Sequence, residues 1–213
     1  MKSIDEEQWI NWVDTLSDHH YVVMDHILSR EDLCAFKSCF DEKKEAEVLK
    51  KAAIGSLNQK QIDQSIRGDQ ILWLDNQDMD ARLTPFFQWA ELLKSQLNRY
   101  CFLSLSGYEV HFAHYPEGTF YKRHLDQFQG RNNRLISMIL YLNEDWEPSH
   151  GGQLKIYLPN GEETIEPVFG RMVLFKSDLL EHEVLMTHKD RFSITGWMLH
   201  KPAGLGFLEL GGA

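Results

Sequence analysis

The sequence predicts an α+β, mainly β fold, with a jelly-roll core in the second half and helices from the first half packed on one of its sheets. Helical periodicity of apolar residues governs the chain up to about residue 100. From about Ser106 onward, six or more short apolar runs alternate with turn signals, the spacing of a sandwich or barrel. No repeat, low-complexity tract or Gly/Pro/Ser linker divides the two halves. One domain over 1–213 is therefore expected, with 1–100 a helical buttress carrying an early strand and 101–213 the jelly-roll core.

Each element has a local reason. Residues 6–16, EQWINWVDTLS, place Trp9, Ile10, Trp12, Val13 and Leu16 at helical spacing. A second helix starts after Ser29, whose hydroxyl caps it, with Glu31 and Asp32 favourably placed in the first turn. The segment 44–65, polar and Gln-rich, reads as a loop with some helix. IRGDQILWLD (66–75) reads as a turn at Gly68 followed by a strand. A third helix runs from Thr84 to about Tyr100, with Pro85 in its first turn and Phe86, Trp89, Leu92, Leu93 and Leu97 on one side. The strands that follow are GYEVHFAHY, RLISMILYLN, GQLKIYLP, EPVFGRMVLFKS, HEVLM and RFSITGWML, with turns at SHGG (149–152) and PNGE (159–162).

Bulk properties exclude several classes. At 213 residues, 43% hydrophobic and 25% charged, the chain suits an ordinary folded domain. It holds no apolar run near the ~20 residues a membrane helix needs. The start, MKSIDEEQWINW, lacks the basic-then-apolar layout of a secretory signal, so a cytoplasmic location without membrane partners is expected. A net charge of −10 argues against sequence-independent nucleic-acid binding. Cys34, Cys39 and Cys101 form no CxxC pair and imply no disulfide framework. Cys34 and Cys39 read as buried small apolar residues of the second helix.

The chemistry sits in YKRHLDQF. On a strand or its extended continuation, residues i and i+2 point the same way, so His124 and Asp126 present an imidazole and a carboxylate to one point. HxD alone is a weak signal, for which a surface strand pair is the plainer reading. His182, just after the apolar run MVLF, supplies a third ligand. Two histidines and one carboxylate on one side of a metal leave positions open, the preference of non-haem Fe(II) oxygenases. If HEVLM and RFSITGWML form a hairpin about THKD, with Met186 opposite Arg191, then His182 falls opposite Thr195. Arg191, Thr195 and Trp197 then share the His182 face, with Arg191 about 13 Å along the strand from Thr195 at roughly 3.3 Å per residue. An arginine there could clasp the far carboxylate of a metal-bound keto acid. His111 and His114, three apart, point to opposite faces and make no paired site.

In order, HYPEGTFYKRHLD, RLISMILYLNEDW, GGQLKIY, GRMVLFKSDLLEHEV and RFSITGWM resemble the prolyl-hydroxylase branch of the 2-oxoglutarate oxygenases. The likeness is to the oxygen-sensing hydroxylases of hypoxia-inducible factor and their bacterial relatives, over about residues 66–199. It implies a double-stranded β-helix, with Fe(II) held by His124, Asp126 and His182. It further implies that Arg191 anchors the 2-oxoglutarate carboxylate, aided by Tyr141 and Thr195. Tyr115 and Tyr121 match pocket-lining positions, Trp197 an aromatic near the substrate and Arg134 an arginine at the substrate entrance. Distant collagen-type members carry lysine at the anchor position, so Arg191 matches the oxygen-sensor-like branch. The implied cosubstrates are 2-oxoglutarate and O₂, with ascorbate as reductant, and the implied partner is a protein containing a target proline. The loop at 44–65 and QFQGRNNR (127–134) are candidates for gripping an extended peptide. Two other readings remain: a small-molecule or free amino acid hydroxylase with the same iron site, and a non-catalytic cupin-like binding module.

Overall fold

The computed structural model describes residues 4–52, 63, 65–74, 80–127 and 133–200. Three α-helices are described, interspersed with the first three strands: α1 (Glu6–His19), α2 (Arg30–Glu45) and α3 (Thr84–Cys101). The Asp5 carboxylate caps α1 by accepting from Gln8 N at 2.8 Å, and the Ser29 hydroxyl caps α2 by accepting from Asp32 N at 3.0 Å. Pro85 opens α3 without losing a hydrogen bond, because the first-turn amides have no intrahelical partner. Half of segment 44–65, residues 53–62 and 64, lies outside the described residues, and its described part holds the end of α2 and a short strand.

Eleven described strands form two antiparallel sheets. The larger has the order β1 (Tyr21–Met24), β9 (Met172–Lys176), β6 (Arg134–Tyr141), β11 (Arg191–His200), β4 (Leu105–Tyr115), β3 (Gln70–Leu74), β2 (Lys50–Lys51). The smaller has the order β5 (Tyr121–His124), β10 (His182–Val184), β7 (Leu154–Leu158), β8 (Gly161–Ile165). This is a double-stranded β-helix. The N-terminal half contributes three strands to the larger sheet, where the sequence predicted one.

Alternation within the strands separates two apolar layers. One face of the large sheet buries Phe112, Met138, Leu140, Leu174, Ile194 and Met198 against the helices. Phe40 of α2 stacks on Phe112 with ring centroids 4.2 Å apart, and Trp9 of α1 stacks on Trp89 of α3 at 5.5 Å. The opposite face packs Ile139, Tyr141, Val173 and Phe175 against Leu154, Ile156 and Ile165 of the small sheet. Elsewhere between the sheets a cavity of about 770 Å³ stays open.

The expected hairpin of HEVLM with RFSITGWML does not form. The strand β10 pairs with β5 and β7, placing His182 opposite His124 and Ile156, while β11 pairs with β4 and β6. Thr195 lies opposite His111 and Ile139 instead of His182. The THKD connection crosses from one sheet to the other, as a jelly roll requires, so neighbours in sequence face each other across the core. Cys39 is buried as expected, but Cys34 is exposed. No described helix is long and apolar enough to cross a membrane.

Candidate active site

Residues on alternate positions of β4 and β11 line the cavity: Glu109, His111, Ala113 and Tyr115 from one, Arg191, Thr195 and Trp197 from the other. The same-face parity read from the sequence therefore holds, although the pairing that motivated it does not. Across the cavity, β5 and β10 bring His124, Asp126 and His182 together, with one ligand atom from each lying within 4.8 Å of the other two. His124 Nε2 is 3.6 Å from Asp126 Oδ1, and His182 Nε2 is 3.7 Å from Asp126 Oδ2.

Both imidazoles are oriented by the backbone. His124 Nδ1 lies 2.7 Å from Lys122 O and His182 Nδ1 3.1 Å from Leu180 O. Donation to these carbonyls fixes the tautomer and leaves each Nε2 lone pair free for a metal. Ser137 Oγ donates to Asp126 Oδ2 at 2.6 Å and sits 2.9 Å from Ser177 Oγ, so the carboxylate is also held from behind. Burial alone would raise the Asp126 carboxyl, but His182, His124 and the Ser137 hydroxyl outweigh it and keep the group well below the ordinary range. Burial pushes His182 down to about 4. The three groups thus favour an ionised carboxylate with a neutral His182, the protonation a divalent metal needs.

The closed end of the cavity has a different character. The Arg191 guanidinium is 1% exposed and lies 5.0 Å from the ring centroids of both Tyr115 and Tyr141. Its Nε donates to Gly152 O at 2.8 Å. Gly152 has φ +66, and a Cβ there would come within 2.9 Å of Arg191 Cδ, so the SHGG turn seats the arginine as well as reversing the chain. Among the described residues, Arg191 Nη2 and Tyr141 Oη are buried with no hydrogen-bond partner. Two orphan donors beside a fixed positive charge fit the far carboxylate of a short diacid, whose keto end then lies toward the triad.

Tyr121 and Arg134 also line the cavity. The Tyr121 ring stacks on the His124 imidazole with centroids 3.6 Å apart. Arg134 pairs with Glu109 at 2.5 Å, and its Cζ lies 3.5 Å from the Trp197 ring centroid. Most of QFQGRNNR, residues 128–132, lies outside the described residues.

Several residues at or behind the cavity were given no role in it from the sequence. His111 is 3% exposed and sits between Trp73 and Trp197, at 4.9 and 5.5 Å. Burial lowers it to about 3, so it is a neutral wall of the cavity. Arg67 and Asp69 line the cavity as an ion pair from the segment before β3. Both belong to IRGDQILWLD, a segment recognisable in the sequence, but no pattern within it singled them out. Ser137 and Ser177 carry no pattern at all.

Comparison with known proteins identifies the family and the fold. Residues 110–199 match the family described as the 2OG-Fe(II) oxygenase superfamily. Egl nine homolog 1 of Mus musculus is 33% identical over 202 residues, covering 87% of this chain and 48% of that protein. The crystal structure of a Pseudomonas putida prolyl-4-hydroxylase is 35% identical with a TM-score of 0.82, covering 91% of this chain and 99% of that one. A Trichoplax adhaerens prolyl hydroxylase, solved with a hypoxia inducible factor oxygen degradation domain peptide fragment, is 25% identical with a TM-score of 0.82, covering 91% of this chain and 90% of that one. The chain spans about half the length of the curated relatives it matches.

Proposed function

The chain belongs to the 2OG-Fe(II) oxygenase superfamily, in its prolyl-hydroxylase branch, and from that membership we propose that it hydroxylates a prolyl residue of a protein substrate. The cosubstrates are 2-oxoglutarate and O₂, the coproducts succinate and CO₂. The observation that carries the proposal is the pairing, in one cavity, of the His124–Asp126–His182 triad with the buried, partly unpartnered Arg191 and Tyr141.

Each residue has a separable task. His124, Asp126 and His182 would hold Fe(II). The metal, when bound, supplies the oxygen-activating chemistry that no side chain here provides. Arg191 and Tyr141 hold the distal carboxylate, fixing the keto acid's orientation before reaction. Thr195 lines the same path and Tyr115 closes its end. Phe175 and Ile156 pack behind the site and keep water from that side. At the mouth, Trp197, Arg134, Tyr121 and the half-exposed Trp73 offer aromatic and cationic surface to an extended peptide.

The peptide complex of the Trichoplax relative supports a protein substrate over a free amino acid. The same proposal includes a single domain, a cytoplasmic location and ascorbate as reductant. Three free cysteines suit a reducing compartment. The test is to incubate purified protein with Fe(II), 2-oxoglutarate, ascorbate and either proline-containing peptides or free proline, and to locate added oxygen by fragmentation mass spectrometry. Oxygen on the proline ring of a peptide supports the proposal. Turnover of free proline alone would move the substrate class to small molecules.

A further inference from the structure

Beyond the triad itself, the geometry points to Arg67, held by Asp69, as a positioning residue for the metal ligand His124, acting through Tyr121. The inference rests on the reading of His124, Asp126 and His182 as a metal site.

The residues form one continuous stack. Asp69 is 2% exposed, and its two carboxylate oxygens accept from Arg67 Nε at 2.7 Å and Nη2 at 2.5 Å. That bidentate pair fixes the guanidinium plane. Arg67 Cζ then lies 4.3 Å from the Tyr121 ring centroid, and Tyr121 lies on the His124 imidazole at 3.6 Å with an interplanar angle of 19°. A cation on an aromatic face restrains the ring, and the ring restrains the imidazole. On the other side His124 meets His182, with centroids 4.3 Å apart.

The backbone is arranged to hold this stack in register. Lys122 N donates to Ile66 O at 2.9 Å, and Gly68 N donates to Phe120 O at 3.0 Å. A Cβ on Gly68 would come within 2.6 Å of Thr119 Cβ, so glycine permits the segment to lie this close to β5. The reason such a brace is needed lies in β5. It has four residues, stands at the edge of the small sheet and pairs with β10 through an irregular register between His182 and Val184. Pairing with β10 therefore constrains His124 from one side, and on the other an isolated backbone bridge between Arg67 and Tyr121 sets the Arg67 side chain to stack on the Tyr121 ring.

The test is metal affinity, read without turnover. Removing Arg67 alone would strand the buried Asp69 carboxylate and confuse positioning with folding. The double variant Arg67→Met/Asp69→Asn removes both charges. We expect it to bind Mn(II), followed by the free-ion magnetic resonance signal, about tenfold more weakly than the wild type, the scale on which residues behind metal ligands act. Tyr121→Leu should match it, while Tyr121→Phe, which keeps the ring, should retain wild-type affinity. The Co(II) ligand-field absorption should shift in the first two variants and not in the third. Unchanged Mn(II) affinity in the double variant and Tyr121→Leu, with wild-type binding intact, overturns this inference alone. Equal loss in Tyr121→Phe and Tyr121→Leu also overturns it, since the hydroxyl and not the stack would then matter. Failure of the wild type to bind Mn(II) overturns the metal-site reading with it.

Discussion

Replacing Arg191 with methionine isolates the anchor for the distal carboxylate. Methionine approximates the length and apolar stem of arginine and sits among Tyr115 and Tyr141 without adding charge. In the wild type, Nε is already committed to Gly152 O, leaving the remaining guanidinium nitrogens, including the unpartnered Nη2, for the ligand. Hydrogen bonds to a charged group contribute about 1.5–3 kcal/mol each. Loss of two such bonds costs about 3–6 kcal/mol, or roughly 10²–10⁴-fold in affinity at about 1.4 kcal/mol per tenfold. The assay is calorimetric binding of 2-oxoglutarate to Mn(II)-loaded protein, set beside 2-oxobutyrate, a keto acid without the distal carboxylate. Arg191→Met should weaken 2-oxoglutarate by that factor and leave 2-oxobutyrate unchanged. Equal weakening of both would refute the anchor and assign Arg191 to folding of the Gly152 turn.

Ser137→Ala removes the hydroxyl that donates to Asp126, and metal affinity measured by competition with a chelator should fall about tenfold without loss of fold. Arg134→Ala should impair peptide turnover while sparing 2-oxoglutarate decay uncoupled from it; equal loss of both would remove Arg134 from the substrate entrance. The metal-free protein should lose stability as pH falls from about 6.5, the unfolded-state histidine value. Burial holds His182 down to about 4 and His111 to about 3, so the unfolded chain takes up protons in this window that the folded chain refuses. Stability must then rise with pH across the window. Urea midpoints measured from pH 7 to pH 4 should show this slope, and His111→Met should flatten it. A midpoint independent of pH would contradict the neutral burial of both histidines.

The site was legible where its geometry is local. His124 and Asp126 are two apart on an extended segment, so their common direction follows from strand parity without knowledge of the fold. Arg191, Thr195 and Trp197 share a face for the same reason. The pairing of β10 was not legible. HEVLM, THKD and RFSITGWML have the length and turn residues of a hairpin, and sequential strands pair often, but not in a crossover between sheets. That choice depends on which sheet has an edge to fill, a property of the whole chain. His111, Arg67 and Ser137 were missed on similar grounds. Each is unremarkable among its sequence neighbours, and pairing with a distant strand brings His111 and Arg67 to the cavity and Ser137 to the back of Asp126, as when β3 places Trp73 beside His111. The helices were read well, since capping by Ser29 and the apolar faces of α1 and α3 are written within single turns. Cys34 was misread because helical membership does not state which face a short side chain occupies.

The most direct test of the account is succinate formation by purified protein supplied with Fe(II), 2-oxoglutarate, ascorbate and air, with 2-oxoglutarate binding to Mn(II)-loaded protein read in the same samples, alongside Asp126→Ala. The account predicts metal-dependent binding of 2-oxoglutarate and iron-dependent succinate, both lost in Asp126→Ala. Absence of metal-dependent binding and of succinate in the wild type would contradict it.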